Sequence, residues 1–211
     1  MTTKTDIFSK LNFPEDSPRQ KSNRENFSGL YVRPENADDL PELFKESVEA
    51  VDGECYVLPT KTALLEKLES VWKELGTPKT VAYESFVKEI LNKITVPFED
   101  TKEAVLSADL AITGAEFLIA RLGTVLVSSS QTKSRRIIAF PETHLVIATE
   151  NQVLYDLPEA LEKIQEKYKT NFPAIISLIT GPSRTADIEK TLILGAHGPK
   201  KLIVLIYKES E

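Results

Sequence analysis

A chain of 211 residues, 41% hydrophobic and 27% charged, has the composition of an ordinary globular protein and the length of one domain, with room for an appendage. Its formal net charge of -6 excludes the broad basic footprint that a nucleic-acid binder needs. A single cysteine, Cys55, excludes an internal disulfide, an iron–sulfur cluster and a structural zinc site held by this chain alone.

Residues 1–30 are polar, and Ile7, Phe8, Leu11 and Phe13 form the only apolar cluster before Phe27. They read as an N-terminal arm, frayed or docking on a partner, ahead of a single α/β domain over 31–211. The opening lacks the apolar run of a secretory signal, and no stretch approaches the ~20 apolar residues of a membrane helix. With one thiol, a reducing, cytoplasmic setting without a membrane is the expectation.

From residue 35 helices and strands alternate. Leu40, Leu43, Phe44 and Val48 recur at helical spacing, and "CYVLP" follows as a short strand. A second stripe, Leu64, Leu65, Leu68, Val71, Trp72 and Leu75, ends at Gly76. "TVAYE" predicts a strand, "SFVKEILNKI" a helix and "EDTKEAVLSA" a short helix. Next comes the strand "DLAIT", then one or two helical turns over "AEFLIARLG", then the strand "TVLVSSS". A charged loop, "QTKSRR", precedes a turn at Pro141 and another strand. "LPEALEKIQEKYKT" predicts a helix, "AIISLIT" a strand, "TADIEKTLILG" a helix over 185–195 and "KLIVLIY" the last strand.

This alternation implies an α/β fold, a mostly parallel sheet with helices on both faces. The continuously apolar late strands have the pattern of strands covered on both sides. The stretch 124–149, with strands not separated by helices, implies an antiparallel portion. If 175–180 and 202–207 are parallel neighbours, the segment between them is a crossover carrying its helix on one face.

"ITG" occurs twice, at Ile112–Gly114 and Ile179–Gly181, each where a strand would end. Open α/β sheets bind ligands at that edge. After the second copy, Gly181 permits close approach of a ligand, and Ser183 or Thr185 can cap the following helix. That leaves backbone N–H groups for an anion, and Arg184 adds a planar cation. The plainer reading makes Thr185 an ordinary cap, sets Asp187 against the helix dipole and pairs it with Arg184. The segment is neither a P-loop nor a dinucleotide fingerprint.

Thr113, Gly114 and Glu116 form a second candidate loop, and Gly114 and Gly181 would line one crevice if their strands are close. Lys133, Arg135 and Arg136 add positive charge from a neighbouring loop. His144 begins a strand. His197 follows a helix of about 11 residues, which spans about 16 Å, so His197 and Arg184 should not share one small site. With two histidines in the chain, a histidine-rich metal site is not expected, and no metal ligand set is assigned.

Three stretches, "ADLAITGAEFLIARLGTVLV", "SRRIIAFPETHLVIA" and "GPSRTADIEKTLILGAHGPKKLIVLI", together resemble the lactate-utilization (LUD) domain family, in its lactate utilization protein C branch. The resemblance covers about residues 105–207. It implies a fold similar to the sugar-phosphate isomerase and CoA-transferase group. It also implies an accessory role in oxidation of L-lactate to pyruvate, with a small anionic metabolite as ligand. Iron–sulfur clusters are expected in partner proteins and no cofactor in this chain. The resemblance leaves catalysis open. The alternatives are a stand-alone transferase or ligase acting on a CoA, nucleotide or sugar-phosphate substrate, and a carboxylate-binding module without chemistry. The family often has Ala-Glu-Thr-Gly-Thr where this chain has Ala120-Arg121-Leu122-Gly123-Thr124, so a glutamate and a threonine of the pattern are replaced by Arg121 and Leu122.

Overall fold

A computed structural model of the chain describes residues 39–132, 134–185, 193–194 and 198–209. The polar arm expected over 1–30, together with Lys133, Asp187 and His197, lies outside the described residues.

The first helix, α1 (Leu40–Glu49), is capped by Asp39, whose Oδ1 accepts from Glu42 N at 3.2 Å. After β1 (Glu54–Leu58) comes α2 (Lys61–Glu74), capped by Thr60 through a 3.1 Å bond from Ala63 N. Both caps satisfy backbone donors that a helix start otherwise leaves unpaired. Then follow β2 (Thr80–Val81), α3 (Ser85–Lys93) and β3 (Leu110–Gly114). Glu84 stands at the cap position of α3 and makes no side-chain cap bond.

Strands β1, β2 and β3 join β6 (Thr143–Thr149) and β11 (Lys201–Tyr207) in a wholly parallel sheet, ordered β1-β11-β6-β3-β2. Alternate residues of its central strands face opposite layers. Leu110, Ile112, Leu145, Ile147, Ile203 and Leu205 pack with Leu64, Leu68 and Val71 of α2 and Val87, Ile90 and Leu91 of α3. Val146, Ala148, Leu202, Val204 and Ile206 pack with Phe44 and Val48 of α1 and with Leu118, Val125 and Val127 of a second sheet. Both faces are covered, so both register positions are apolar. Each fully buried Leu or Ile contributes about 1.5–3 kcal/mol.

The second sheet consists of β4 (Phe117–Ile119), β5 (Thr124–Ser128), β7 (Val153–Leu154) and β8 (Ile176–Thr180), in the order β7-β4-β5-β8. A single helical turn, α4 (Ser129–Thr132), follows β5. The outer face of this sheet packs on α5 (Leu157–Tyr168) through Ile119, Leu126, Leu154, Ala160 and Ile164. Of the stretch 124–149, from which an antiparallel portion is expected, only β5 is antiparallel to its neighbours β4 and β8, in this separate sheet, while β6 runs parallel in the first.

Three local expectations are corrected. The helical turns expected over 115–123 are instead β4 and a 3-10 turn at Ala120–Leu122. Phe117, Leu118 and Ile119 pair antiparallel with Leu126, Val125 and Thr124, and that pairing overrides a nine-residue helical pattern too short to stand alone.

Strands β8 and β11 are not parallel neighbours. β8 pairs antiparallel with β5, while β11 lies between β1 and β6. Burial separates them too: Leu178 and Thr180 of β8 are exposed, whereas six of the seven residues of β11 are buried.

The third correction concerns the helix expected over 185–195. Its start and end lie in a two-stranded antiparallel ribbon, β9 (Arg184–Thr185) with β10 (Ile193–Leu194). The base of that loop is closed by Ser183 N donating to the Pro199 carbonyl at 2.8 Å. Thr185 is therefore in a strand rather than inside a helix.

Candidate functional site: the carboxyl edge of the parallel sheet

Strands β2, β3, β6 and β11 all end on one edge. There Glu84 turns its carboxylate away from its helix: Oε1 accepts from Gly114 N and Oε2 from Gln131 Nε2, each at 2.9 Å. The bond fixes the end of β3. A Cβ on Gly114 would lie 2.5 Å from Phe86 Cζ, so the missing side chain is what lets the Phe86 ring lie against the strand end. Gln152 holds the adjoining backbone, its Nε2 donating to Ala115 O at 2.5 Å and its Oε1 accepting from Thr149 N at 2.8 Å.

A cleft of about 410 Å³ opens over this edge. Ala115, Ala148, Thr149, Gln152 and Tyr207 belong to its lining, and Phe86 contributes an aromatic wall. Lys61 comes from the first turn of α2, Glu89 and Lys93 from α3, and Glu209 from the residues after β11. Neither lysine has an ion-pair partner among the described residues. The cleft therefore presents two cations, two carboxylates and a polar backbone edge around an apolar floor, the composition of a small-molecule site.

Behind the edge lies a buried polar network. The Glu116 side chain has no solvent exposure, and Lys167 Nζ lies 2.7 Å from its Oε2. Ser128 Oγ donates to Oε1 at 2.5 Å, and Tyr168 Oη donates to the same oxygen. Burial by itself raises a carboxyl pKa; the bonds from Lys167, Ser128 and Tyr168 outweigh it and hold Glu116 below its ordinary range. Burial lowers the Lys167 pKa, and the Glu116 partnership more than reverses that. Burial and then the Glu116 hydrogen bond raise Tyr168. The network stays charged and ties the end of β3 to the ends of β5 and α5.

Thr113 of β3 and His144 of β6 form a buried pair across adjacent strands of the parallel sheet. Thr113 Oγ1 donates to the Gly114 carbonyl at 2.9 Å. Its one proton being used, it accepts from His144 Nε2 at 2.8 Å, and Nδ1 is left without a partner. Burial pushes the imidazole pKa down to about 4, so the ring is neutral near pH 7.

Thr113, Gly114 and Glu116, singled out from the sequence, lie at or just past the end of β3, and His144 bonds Thr113 from the adjacent strand β6; none of the four lines the cleft. Gly181, Ser183 and Arg184 lie elsewhere. Gly181 has φ +71°, and a Cβ there would lie 2.4 Å from the Val51 carbonyl oxygen. Gly114 and Gly181 therefore do not line one crevice. Arg184 donates to the Val51 carbonyl and lies 2.9 Å from Asp52, so its ion pair is with Asp52 on the turn after α1. The expected partner Asp187 and the candidate His197 lie outside the described residues. Arg121 sits in the 3-10 turn with its Nη2 2.7 Å from Oδ1 of Asp156, the cap of α5. Arg136 borders a separate groove with Arg135 and Lys102.

Sequence reasoning missed Lys61, Glu84, Lys93, Ser128, Gln131, Gln152, Lys167 and Tyr168. One local signal existed: Glu84 precedes Ser85, the better cap residue, at the start of α3.

Among the described residues, no group of three or more His, Cys, Asp or Glu could hold a metal ion, and no helix is long and apolar enough to cross a membrane. Burial pushes the Cys55 thiol up to about 12, with Glu49 adding to it, so that thiol is not a nucleophile.

A parallel α/β sheet with a lined cleft at its carboxyl edge is the architecture in which open α/β sheets accept ligands. Residues 41–207 match the family model of the LUD domain, and the chain belongs to that family. It is 36% identical over 110 residues to lactate utilization protein C 1 of Bacillus mycoides, covering 51% of this chain and 47% of that protein. It is 32% identical over 113 residues to lactate utilization protein C of Bacillus subtilis, covering 53% and 47%. The chain thus spans about half the length of the curated relatives it matches. A crystal structure of a DUF162 family protein from Deinococcus radiodurans superposes with a TM-score of 0.60 at 16% identity, covering 80% of this chain and 96% of that one. It shares the fold.

Proposed function

We propose that this LUD domain protein serves lactate utilization by holding a small hydroxy acid at the carboxyl edge of its parallel sheet. The observation that carries the reading is that Lys61, Lys93, Glu89 and Glu209 line one cleft with neither lysine in an ion pair among the described residues. L-lactate has a carboxylate that only accepts hydrogen bonds and a hydroxyl that also donates one. Ammonium groups suit the first; a Glu carboxylate or the Thr149 hydroxyl suits the second. The curated relatives named lactate utilization protein C support the substrate class.

In this reading the chain binds and orients, and iron–sulfur partner proteins take the two electrons that leave lactate as it becomes pyruvate. The setting is cytoplasmic. The open cleft is larger than lactate needs, which leaves room for a partner to approach the bound acid.

Calorimetric titration with L-lactate and pyruvate tests the proposal. Binding by the wild type, weakened roughly tenfold in Lys61→Ala or Lys93→Ala, is expected for loss of one charge-assisted bond. Absence of heat with both acids at millimolar concentration, or equal binding by the lysine variants, would sink it.

A further inference from the structure

A second concavity lies apart from the carboxyl-edge cleft and shares none of its lining residues. Lys102, Ser129, Ser134, Arg135, Arg136, Ala139 and Phe140 surround a groove of about 670 Å³. Its cations come from two distant parts of a chain whose net charge is -6.

The groove is held in place from beneath. Ile137, buried to 1% exposure, packs among Val81, Tyr83, Ala104, Val105 and Ala111. Ser134 caps the 3-10 turn Arg135–Ile138 by accepting from Arg136 N. Lys102 is positioned by its neighbour Thr101, whose carbonyl accepts from Tyr83 Oη at 2.8 Å and whose Oγ1 accepts from Ala104 N at 3.2 Å.

The charged lining consists of cations alone. Among the described residues, the side chains of Lys102, Arg135 and Arg136 make no hydrogen bond or ion pair. Asp100, the nearest carboxylate in sequence to Lys102 besides Glu103, pairs with Lys88 at 3.0 Å. Ser129 Oγ already accepts from Ile175 N, and Ser134 Oγ from Arg136 N. Each hydroxyl therefore has its own proton left to give. Three like charges and two hydroxyls with a proton to give line one groove, and no carboxylate lines it. That arrangement repels itself when empty and is relieved by an anion rich in acceptor oxygens. Phe140, 57% exposed, adds a flat apolar wall.

We infer that this groove binds an organic phosphate, with its phosphoryl group on Lys102, Arg135 and Arg136 and its ring against Phe140. A phosphoryl group supplies only acceptors and up to two charges, which three cations and two hydroxyls match. A simple carboxylate leaves most of these donors unused. The site is independent of the hydroxy-acid cleft, so either assignment can fail without the other.

Titration of the full chain with ADP and with inorganic pyrophosphate tests it. Both probes should bind, and binding should weaken as salt rises. Arg135→Gln combined with Arg136→Gln should weaken both by at least roughly tenfold. Lys102→Glu, in a separate segment, should do the same. Phe140→Ala should weaken ADP and spare pyrophosphate. These side chains are exposed, so an unchanged melting temperature should certify each variant's fold. No binding of either probe at millimolar concentration overturns the inference, as does undiminished binding by folded arginine and Lys102 variants.

Discussion

Lys167 Nζ stands 2.7 Å from Oε2 of Glu116, joining an ammonium that is 57% exposed to a carboxylate side chain with no exposure. The contact is one-sided: the lysine can find water if the pair breaks, and the glutamate cannot. Removing the cation therefore costs more than removing an ordinary surface pair.

Lys167→Ala should destabilise the protein by about 1.5–3 kcal/mol near neutral pH, the usual worth of a hydrogen bond to a charged group. Ser128 and Tyr168 remain to hold the carboxylate, which keeps the loss from being larger. In the wild type the folded pKa of Glu116 lies below the ordinary 4.5. Its stabilisation is complete above that value and lost as pH falls through the lower folded one. Without Lys167, one of the bonds that offset burial is gone, so the ionised form of Glu116 is less favoured than in the wild type. The difference between variant and wild type should shrink as pH drops below the ordinary glutamate range. Urea unfolding at neutral and acid pH checks this; a difference that is flat with pH contradicts it.

His144 predicts a separate acid transition. Its folded pKa of about 4 lies below the ordinary 6.5, so the unfolded chain takes up a proton that the folded chain refuses. Stability should fall as pH drops from about 6.5 to about 4, by up to about 3 kcal/mol for a shift of this size. His144→Gln retains a donor for Thr113 and has no proton to gain. Its unfolding free energy should lack this slope, as measured by urea titrations across that range.

Gly114→Ala should leave the fold in place and disturb the cleft. The new methyl would meet the tip of the Phe86 ring at 2.5 Å, and that ring, 40% exposed, has room to swing outward. Lactate affinity should drop several-fold with little change in melting temperature. A large fall in melting temperature instead would show that the ring cannot move.

Arg121→Glu, which introduces the residue that the family resemblance leads one to expect at this position, should destabilise this chain. Asp156 already bonds Leu157 N at 2.7 Å and takes its charge partner from Arg121. A second carboxylate there replaces attraction by repulsion at a site where Asp156 is only 6% exposed. A loss of about 1–2 kcal/mol is expected, larger than that of Arg121→Ala, by denaturant unfolding. Arg121 reads as a structural replacement tuned to Asp156.

The helices α1, α2, α3 and α5 were legible because their apolar residues recur within a turn or two, and the caps Asp39 and Thr60 lie a few positions away. The parallel sheet was legible from the continuous runs at 144–149 and 202–207, because strands covered on both faces have no polar side. Thr113-Gly114 and Glu116 were legible as the polar end of β3, where a glycine interrupts an apolar run beside an acid, but none of the three lines the cleft.

Pairing was not legible. β8 resembles β11 in composition, and only the competition of whole surfaces for cover sent β8 to β5 and left β11 in the centre. Glu116 and Lys167 are 51 residues apart, and Glu84 reaches Gly114 across 30; no local spacing announces either contact. Arg184 met Asp52 across a loop that its own segment does not specify. The amino-acid order by itself determined which segments coil, which extend and which must be buried, because those preferences act between near neighbours. The tertiary structure alone decided which strands pair and which charges meet, because both depend on distances set by the packing of the whole chain.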